Sequence, residues 1–266
     1  MMKFTNQVVW ITGASSGIGE ALAQAFAQEG AHLILSARRE AELQRVASLC
    51  QAYGHSVLVL PFDMTQLDQH DLMLEKVLST YGRIDIMVLN AGVSQRSFVE
   101  DTHLEVYRKL FEINFFSIVA LTQKLLPVFK QQKSGTFVPI ASVAGRISTP
   151  RRGAYGASKH ALIGFFDSVR AETYDQGIHV CTILPGYIKT NISLHAMNEH
   201  GEAYGKMDPN QAKGLDPNLT AQRIVQAVFA KKKEYFIGGK LEALGLLIKR
   251  LSPSLLFWMM RKIKNT

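Results

Sequence analysis

Short apolar runs alternate with amphipathic stretches along most of this chain. Runs of β-branched and aromatic residues predict strands at Gln7–Ile11, His32–Ser36, Ser56–Leu60, Ile84–Leu89, Thr136–Ile140, His179–Leu184 and Glu234–Ile237. Helical spacing of apolar residues predicts helices at Ala21–Glu29, Arg39–Tyr53, Asp68–Tyr81, Leu104–Lys130 and Ala154–Gln176. Apolar strands that alternate with helices indicate βαβ units. The expected fold is therefore α/β, with a doubly wound parallel sheet of about seven strands in a single domain.

Charge is unevenly distributed along the chain. The net charge is +8, and residues 231–266 hold nine basic and two acidic residues, so this segment carries +7. The rest of the chain is nearly neutral and has no zinc-finger or RNP-like motif, so we expect no nucleic-acid partner. Cys50 and Cys181 cannot build a disulfide framework, and no secretory apolar run opens the chain. Both features favour a cytoplasmic protein.

A glycine-rich turn joins the first predicted strand to the first predicted helix. It reads Thr12-Gly13-Ala14-Ser15-Ser16-Gly17-Ile18-Gly19. Glycine permits a tight turn and lets backbone N–H groups approach a pyrophosphate, and the helix that follows adds the positive end of its dipole. At the start of a βαβ series this pattern predicts a dinucleotide site in a Rossmann-type fold. The alternative is a purely structural turn.

The spacing of these glycines, with three later motifs, resembles the short-chain dehydrogenase/reductase family. The later motifs are Asn90-Ala91-Gly92, Tyr155-Gly156-Ala157-Ser158-Lys159 and Pro185-Gly186-Tyr187-Ile188-Lys189-Thr190, with Ser142 thirteen residues before Tyr155. The resemblance covers about residues 6–190 and implies an oxidoreductase that interconverts alcohols and carbonyls. It implies cofactor contacts from Gly13, Ser15, Ser16, Gly17, Ile18, Gly19, Asp63, Asn90, Ala91, Gly92, Tyr155, Lys159, Pro185, Gly186, Ile188 and Thr190. Asp63 is expected to meet the adenine amino group, with a helix N-cap as the alternative role.

The end of the second predicted strand favours NADP(H) over NAD(H). It reads Ser36-Ala37-Arg38-Arg39 and lacks the carboxylate that accepts the ribose 2′-hydroxyl in NAD-binding folds. An arginine can bind a 2′-phosphate bidentately and stack over the adenine. Arg38 is the first candidate and Arg39 the second. The alternative is that both arginines extend into solvent.

The catalytic prediction rests on Tyr155 and Lys159, which lie four residues apart on one helix face. A tyrosine phenol ordinarily ionises at about pH 10, and a neighbouring ammonium favours the phenolate. We therefore expect Tyr155 to exchange a proton with the substrate oxygen. The resemblance implies that Lys159 also holds the nicotinamide ribose, that Ser142 binds the substrate oxygen and that Asn114 positions a water. Ala141 departs from the family pattern, where many members have a second serine.

Other chemistry finds little support in the sequence. His160 and His179 have no nucleophile partner, so a hydrolase is not expected. No cluster of His, Asp or Glu has ligand spacing, so no metal is expected. The alternative to an enzyme is a non-catalytic NADP(H)-binding sensor or interaction protein.

The C-terminal stretch Leu241–Ile263 is apolar but interrupted by Lys249, Arg250 and Pro253. It is too broken to cross a bilayer as one helix, so we expect two short helices. Apolar and aromatic groups beside cations predict attachment to the cytoplasmic membrane face, with packing on the domain or a sister subunit as the alternative. The expected layout is a catalytic domain at 1–240, with a substrate-binding insertion at 191–219, and a basic amphipathic tail at 241–266.

The resemblance extends to the branch containing the dehydrogenase/reductase member-seven and 11β-hydroxysteroid dehydrogenase groups. It implies a small-molecule alcohol or carbonyl substrate of lipophilic type, such as a steroid, retinoid or fatty acyl derivative. Substrate contacts are expected from Ser94–Phe98, Arg146–Arg151 and Asn191–Met207. The resemblance also implies a homodimer or homotetramer built through the helices that carry Asn114 and Tyr155.

Overall fold

A computed structural model describes residues 2–261. Its strands are β1 (Val8–Thr12), β2 (His32–Ser36), β3 (Val57–Val59), β4 (Ile86–Leu89), β5 (Gly135–Pro139), β6 (Ile178–Val180), β7 (Thr182–Pro185) and β8 (Glu234–Ile237). Its α-helices are α1 (Gly17–Gln28), α2 (Glu40–Gln51), α3 (Gln69–Tyr81), α4 (Leu104–Phe111), α5 (Ser117–Gln132), α6 (Gly153–Glu172), α7 (Pro209–Ala212), α8 (Pro217–Phe229), α9 (Lys240–Leu251) and α10 (Pro253–Met260).

The strands form a parallel sheet in the order β3-β2-β1-β4-β5-β6, and β7 pairs in parallel with β8. The predicted sixth strand is split at Cys181, whose backbone N donates to Phe137 O at 2.9 Å. Ala141 N donates to Ile183 O at 2.9 Å, so β7 still runs beside the end of β5. The predicted α/β doubly wound fold is confirmed, although six strands form the main sheet rather than seven. The strand order reverses between β1 and β4, where such folds bind ligands at the carboxyl ends of the strands.

Helices cover both faces of the sheet, which explains why its strands are apolar throughout. One core packs α1, α2 and α8 on the sheet through residues such as Phe26, Leu43 and Ile224. The other core packs α3, α5 and α6 on the opposite face, with Phe129 and Phe166 fully buried. This two-sided burial holds the strand ends, and the loops that follow them, in fixed positions.

The predicted long helix Leu104–Lys130 is interrupted. A π-helical segment, Glu112–Phe116, separates α4 from α5, and we call it the π turn. Such wide turns hold one extra residue and occur often at functional sites. The π turn contains Asn114, which is fully buried.

The insertion at 191–219 holds a 3₁₀ turn at Asn191–Ser193, the short helix α7 and the start of α8. The C-terminal stretch forms two short helices, α9 and α10, as predicted, and residues 262–266 of the expected tail lie outside the described residues. Among residues 2–261, no helix combines the length and apolar character needed to cross a membrane.

Candidate active site

The glycine turn between β1 and α1 leaves no room for side chains at Gly13 and Gly19. Gly13 and Gly17 have φ values of +64° and +59°, in the left-handed region that favours glycine. A Cβ on Gly13 would lie 2.9 Å from the Cα of Ala91, and a Cβ on Gly19 would collide with the carbonyl oxygen of Gly13. The turn therefore packs directly against the segment that follows β4.

Asn90 and Thr12 tie the ends of β1 and β4 together. The Asn90 Nδ2 donates to the carbonyl oxygens of Thr12 and Gly13, both at 3.1 Å. The Thr12 Oγ1 in turn accepts from the backbone N of Asn90 at 3.1 Å and of Ala91 at 3.2 Å. This network fixes the floor of the glycine turn at the point where the strand order reverses.

Two arginines stand beside the glycine turn. The Arg39 Nη2 donates to Ser15 Oγ at 3.3 Å. The Arg38 side chain is 72% exposed, with its Nη1 4.0 Å from the Oδ2 of Asp63. The other oxygen of Asp63 accepts from the backbone N of Thr65 at 3.0 Å and its Oγ1 at 2.8 Å, so Asp63 also holds a local turn.

The geometry of this region fits a dinucleotide phosphate group. A Cβ on Gly17 would lie 3.2 Å from the Cγ2 of Thr190, and the Ser16 side chain does not cap α1. Backbone N–H groups at the start of α1 and the nearby arginines supply donors and positive charge for an anion. These residues are the ones that would hold the phosphates of a bound nucleotide.

Asn114 is held rigidly in the π turn. Its Oδ1 accepts from Val93 N at 2.8 Å, and its Nδ2 donates to Val93 O at 2.9 Å and to Ser158 Oγ at 3.1 Å. All three bonds are to fixed groups, because Ser158 lies on α6 and Val93 follows the Asn90-Ala91-Gly92 motif. The π turn is thus tied to the helix that carries Tyr155 and Lys159.

Lys159 is buried beside Asn114. Its Nζ donates to Ile140 O at 2.9 Å, and burial lowers the pKa of its ammonium to about 8. A Cβ on Gly92 would lie 3.1 Å from Asn114 Oδ1 and 3.5 Å from Lys159 Nζ. A side chain at position 92 would therefore press on the Asn114 amide and contact the Lys159 ammonium.

Ser142 and Tyr155 complete the predicted catalytic set. Ser142 follows β5, and its Oγ accepts from Ala144 N at 3.1 Å and donates to Pro185 O at 3.4 Å. Tyr155 is half-buried in the first turn of α6. Ser142, Tyr155 and Lys159 line one cavity of about 800 Å³, and Asn114 lies behind Lys159 rather than on the cavity surface. The structure therefore brings three of the four residues to a common surface.

Other predicted positions divide between this cavity and the glycine turn. The predicted cofactor residues on the cavity wall are Ile18, Asn90, Gly92, Pro185, Gly186, Ile188 and Thr190. The remaining ones, Gly13, Ser15, Ser16, Gly17, Gly19, Arg38, Arg39, Asp63 and Ala91, lie outside the cavity wall, close to the carboxyl ends of β1 to β4. All three segments predicted to contact substrate reach the cavity, through Ser94, Arg96, Ile147, Thr149, Pro150, Arg151, Ile192, Tyr204, Lys206 and Met207.

Sequence reasoning missed several cavity residues. Asp208 and Arg152 lie on its wall and pair at 2.7 Å between Oδ2 and Nη2. Glu242, on α9, accepts from Tyr187 N at 3.2 Å, and Leu256 of α10 also lines the cavity. The tail helices therefore form part of the cavity wall. For Asp208 one signal was available, because Asp-Pro-Asn occurs twice, at 208–210 and 216–218.

Cys50 and Cys181 are buried and unpaired, and burial raises the pKa of each thiol to about 12. Within residues 2–261, no group of three or more His, Cys, Asp or Glu side chains could hold a metal ion.

Known proteins are similar to this chain in both sequence and fold. The short chain dehydrogenase family model matches residues 7–200. A dehydrogenase/reductase SDR family protein 7-like of Drosophila melanogaster is 41% identical over 268 residues, covering 98% of this chain and 82% of that protein. A short-chain dehydrogenase of Streptomyces avermitilis has 30% identity and a TM-score of 0.80, with 95% of this chain and 96% of that one covered.

A short-chain dehydrogenase/reductase of Burkholderia phymatum, solved in complex with NAD, shares the fold with a TM-score of 0.84 at 22% identity, covering 96% of each chain. Members of this family are oxidoreductases whose fold binds an NAD(P) nucleotide. With its glycine turn, its buried lysine and a family match over most of its length, this chain belongs to the short-chain dehydrogenase/reductase family.

Proposed function

We propose that this protein is an NADP(H)-dependent oxidoreductase that interconverts a lipophilic alcohol and its carbonyl. The observation that carries the proposal is the convergence of Ser142, Tyr155 and Lys159 on one cavity, with Asn114 bonded behind them. A concave cavity of this size, whose wall combines apolar side chains with polar and charged ones, is typical of a small-molecule site.

Each residue has a defined task in this proposal. The Tyr155 hydroxyl gives its proton to the carbonyl oxygen during reduction and takes it back from the alcohol during oxidation. The Lys159 ammonium would hold the ribose hydroxyls of the nicotinamide nucleotide, and the Ser142 hydroxyl donates to the substrate oxygen as negative charge develops there. Asn114 holds the π turn against α6, and so fixes Lys159. Bound NADP(H) supplies the hydride.

The preference for NADP(H) rests on Arg38 and Arg39. Arg39 already reaches Ser15 in the glycine turn, and Arg38 extends into solvent beside it. Both can meet a 2′-phosphate, which carries negative charge that a carboxylate at this place would repel. Asp63 pairs weakly with Arg38 across 4.0 Å and leaves the guanidinium largely accessible.

The apolar part of the cavity wall favours a lipophilic substrate. Its apolar members come from the loop after Ser142, from the insertion and from the tail helices: Ile147, Ile192, Met207, Leu241, Leu256 and Met260. Burying an apolar substrate here would gain about 25 cal/mol for each Å² removed from water. We expect the cavity of about 800 Å³ to be shared between the nicotinamide and a substrate of steroid, retinoid or fatty acyl type.

Steady-state NADPH oxidation tests this function. The panel comprises decanal, all-trans-retinal and androstenedione, and the variant Tyr155→Phe removes the proton donor. Tyr174→Phe is the matched control, because that side chain is 84% exposed on the surface. We expect turnover that Tyr155→Phe reduces by about 100-fold or more and Tyr174→Phe leaves unchanged. NADPH binding without any Tyr155-dependent turnover would instead support the nucleotide sensor.

We further propose that the protein works on the cytoplasmic face of a membrane, with α9 and α10 of the 241–266 tail at the lipid surface and the catalytic domain at 1–240. Leu247 and Leu251, which do not line the cavity, are 53% and 74% exposed on α9, and the tail is strongly basic. Apolar groups beside cations match an interfacial helix on anionic lipid. The test is sedimentation with phosphatidylserine vesicles. Leu247→Glu with Leu251→Glu should abolish binding, whereas Leu72→Glu, at a 60% exposed position on α3, should not.

We also propose a homo-oligomer that uses the helices around the π turn. Phe116 is 50% exposed, and the ring of Phe115 contacts both Phe116 and Phe165 of α6 at centroid distances of 5.3 and 6.1 Å. Light scattering should show a dimer that Phe116→Glu converts to a monomer, or a tetramer that it converts to a smaller assembly. A wild-type monomer would contradict this proposal.

A further inference from the structure

Two copies of the same tripeptide begin two helices. Asp208-Pro209-Asn210 opens α7, and Asp216-Pro217-Asn218 opens α8. The Oδ1 of Asp208 accepts from the backbone N of Asn210 at 2.9 Å and of Gln211 at 3.4 Å. The Oδ1 of Asp216 accepts from the equivalent groups, Asn218 N at 2.8 Å and Leu219 N at 3.0 Å. As helix caps the two aspartates are equivalent.

The second carboxylate oxygen distinguishes them. The Oδ2 of Asp208 lies 2.7 Å from Arg152 Nη2 and 3.4 Å from Arg96 Nη2. The side chains of Asp208, Arg152 and Arg96 are 15%, 14% and 8% exposed, so the cluster is sheltered from water. Asp216 is exposed and, within residues 2–261, forms no ion pair. Asp208 thus performs a task beyond capping.

That task is to hold two like charges together. Arg96 and Arg152 repel each other, and both pair with Asp208. Burial alone would raise the pKa of the Asp208 carboxyl, but the two guanidinium groups and the backbone donors outweigh it, and the pKa falls below its ordinary value. Burial lowers the pKa of Arg96, and the Nε of Arg96 has no partner among the described residues. Without its carboxylate this cluster would hold two uncompensated buried cations.

The two arginines belong to the walls of the catalytic cavity. Arg152 immediately precedes α6 and lies three residues before Tyr155. Its guanidinium lies 5.1 Å from the ring centroid of Tyr187, and its Nη2 donates to the Tyr187 hydroxyl at 3.2 Å. Arg96 follows β4 and its backbone N donates to Met197 O in the insertion at 2.8 Å. Asp208 therefore joins the insertion to the start of the helix that bears Tyr155.

Helix α7 has a second attachment through Gln211. The Nε2 of Gln211 donates to Ile188 O and, at 3.3 Å, to Thr190 Oγ1. Ile188 and Thr190 belong to the segment expected to meet the nicotinamide. A single turn of helix thus touches both the substrate side and the nicotinamide side of the cavity.

We infer that Asp208 is a positioning residue whose ion pairs with Arg152 and Arg96 hold the insertion closed against the start of α6 and so define the substrate side of the cavity. This inference rests on the proposed oxidoreductase function. It assigns Asp208 to substrate binding and not to proton transfer, because its carboxylate contacts arginines and backbone donors.

The first test compares Asp208→Asn with Asp216→Asn. Asparagine caps helices as well as aspartate does, so each variant keeps its cap and its volume. It loses the negative charge, and its second oxygen becomes an NH2 group that cannot accept from an arginine. With decanal and NADPH, we expect Asp208→Asn to raise the substrate KM about tenfold or more, with kcat within about threefold and NADPH Kd within about twofold. Asp216→Asn should leave all three within about twofold. Equal effects of the two variants would overturn the inference.

A double-mutant cycle separates charge from packing. In an Arg96→Met background only one buried cation remains beside position 208. In that background, the fold increase in KM that Asp208→Asn causes should be smaller than in the wild-type background by a factor of about three or more. The same KM increase in both backgrounds would overturn the role of the ion pairs.

Hydrogen exchange supplies a readout that does not need turnover. Amides of residues 94–97 and 191–212 should exchange about tenfold faster or more in Asp208→Asn than in Asp216→Asn, because the insertion opens. If no Tyr155-dependent turnover exists, the proposed function fails, and exchange alone still decides whether Asp208 closes the insertion. Unchanged exchange in Asp208→Asn would overturn it.

Discussion

Replacing Lys159 by methionine tests how much folding free energy the buried charge of this lysine costs. Burial lowers the pKa of this lysine from 10.5 to about 8. Since each pH unit of displacement corresponds to about 1.4 kcal/mol, the buried ammonium costs the fold about 3 kcal/mol at neutral pH. The bond from Nζ to Ile140 O offsets this by about 1.5 to 3 kcal/mol, as hydrogen bonds from charged groups do. At pH 7, Lys159→Met should therefore be as stable as the wild type or up to about 1.5 kcal/mol more stable.

The dependence on pH gives the sharper measurement. In the unfolded chain Lys159 keeps its proton up to pH 10.5, whereas in the fold it loses the proton near pH 8. Above about pH 8 the unfolded state therefore binds more protons, and wild-type stability rises with pH. Between pH 7 and pH 9.5 the lowered pKa should add about 2 kcal/mol to the wild type and nothing to Lys159→Met.

Urea denaturation of the nucleotide-free proteins at both pH values measures this difference. Other titrating groups cancel between wild type and variant, and Lys76→Met, on the exposed surface of α3, serves as the control for removing a lysine. If the stability difference between wild type and Lys159→Met is the same at pH 7 and pH 9.5 within about 0.5 kcal/mol, then burial does not lower the pKa of Lys159, and the reasoning is refuted.

Three further substitutions test the nucleotide site and the core. Gly19→Ala should weaken NADPH binding by about tenfold or more, because its Cβ would collide with the glycine turn. The control Gly164→Ala, whose Cβ would have no atom within 4 Å, should bind NADPH normally and gain about 0.5 to 1 kcal/mol of stability. Equal NADPH affinity of the two variants in a fluorescence titration would contradict the role of the glycine turn in nucleotide binding. Arg38→Asp should lower the preference for NADPH over NADH about tenfold or more, measured as the kcat/KM with NADPH divided by the kcat/KM with NADH. If this ratio is unchanged, Arg38 does not bind the 2′-phosphate. Phe166→Ala should cost about 3 to 5 kcal/mol by urea denaturation, since the ring is fully buried between sheet and helices, and a loss under about 1 kcal/mol would contradict that packing.

The features that the sequence predicted best are those encoded locally. Strand β2 has the predicted bounds, because an apolar run between polar residues specifies a buried strand by itself. The glycine turn and the spacing of Tyr155 and Lys159 are also local, and the structure places them where the βαβ order requires.

What the sequence did not reveal depends on contacts between distant segments. The predicted substrate segment ended at Met207, one residue before Asp208, because nothing local shows that its carboxylate meets Arg96 and Arg152. The same holds for Glu242, which is 55 residues from its partner Tyr187. The split at Cys181 follows from pairing with two different neighbours, β5 and β8, which periodicity along one strand cannot express.

The π turn also bears on how this chain could change in length over evolution. Successive residues of a regular helix advance by about 100°, so the extra residue in the wide turn sets α4 and α5 out of phase by about that angle. Deleting one residue between Glu112 and Phe116 would restore a regular helix and rotate one flanking helix against the other. Either Leu110 or Leu121, both fully buried, would then turn away from the core. Substitutions away from the buried Asn114 keep the helix phase, whereas a change of one residue in the length of this segment does not. Natural variants should therefore differ at the other positions of the π turn in sequence but not in length.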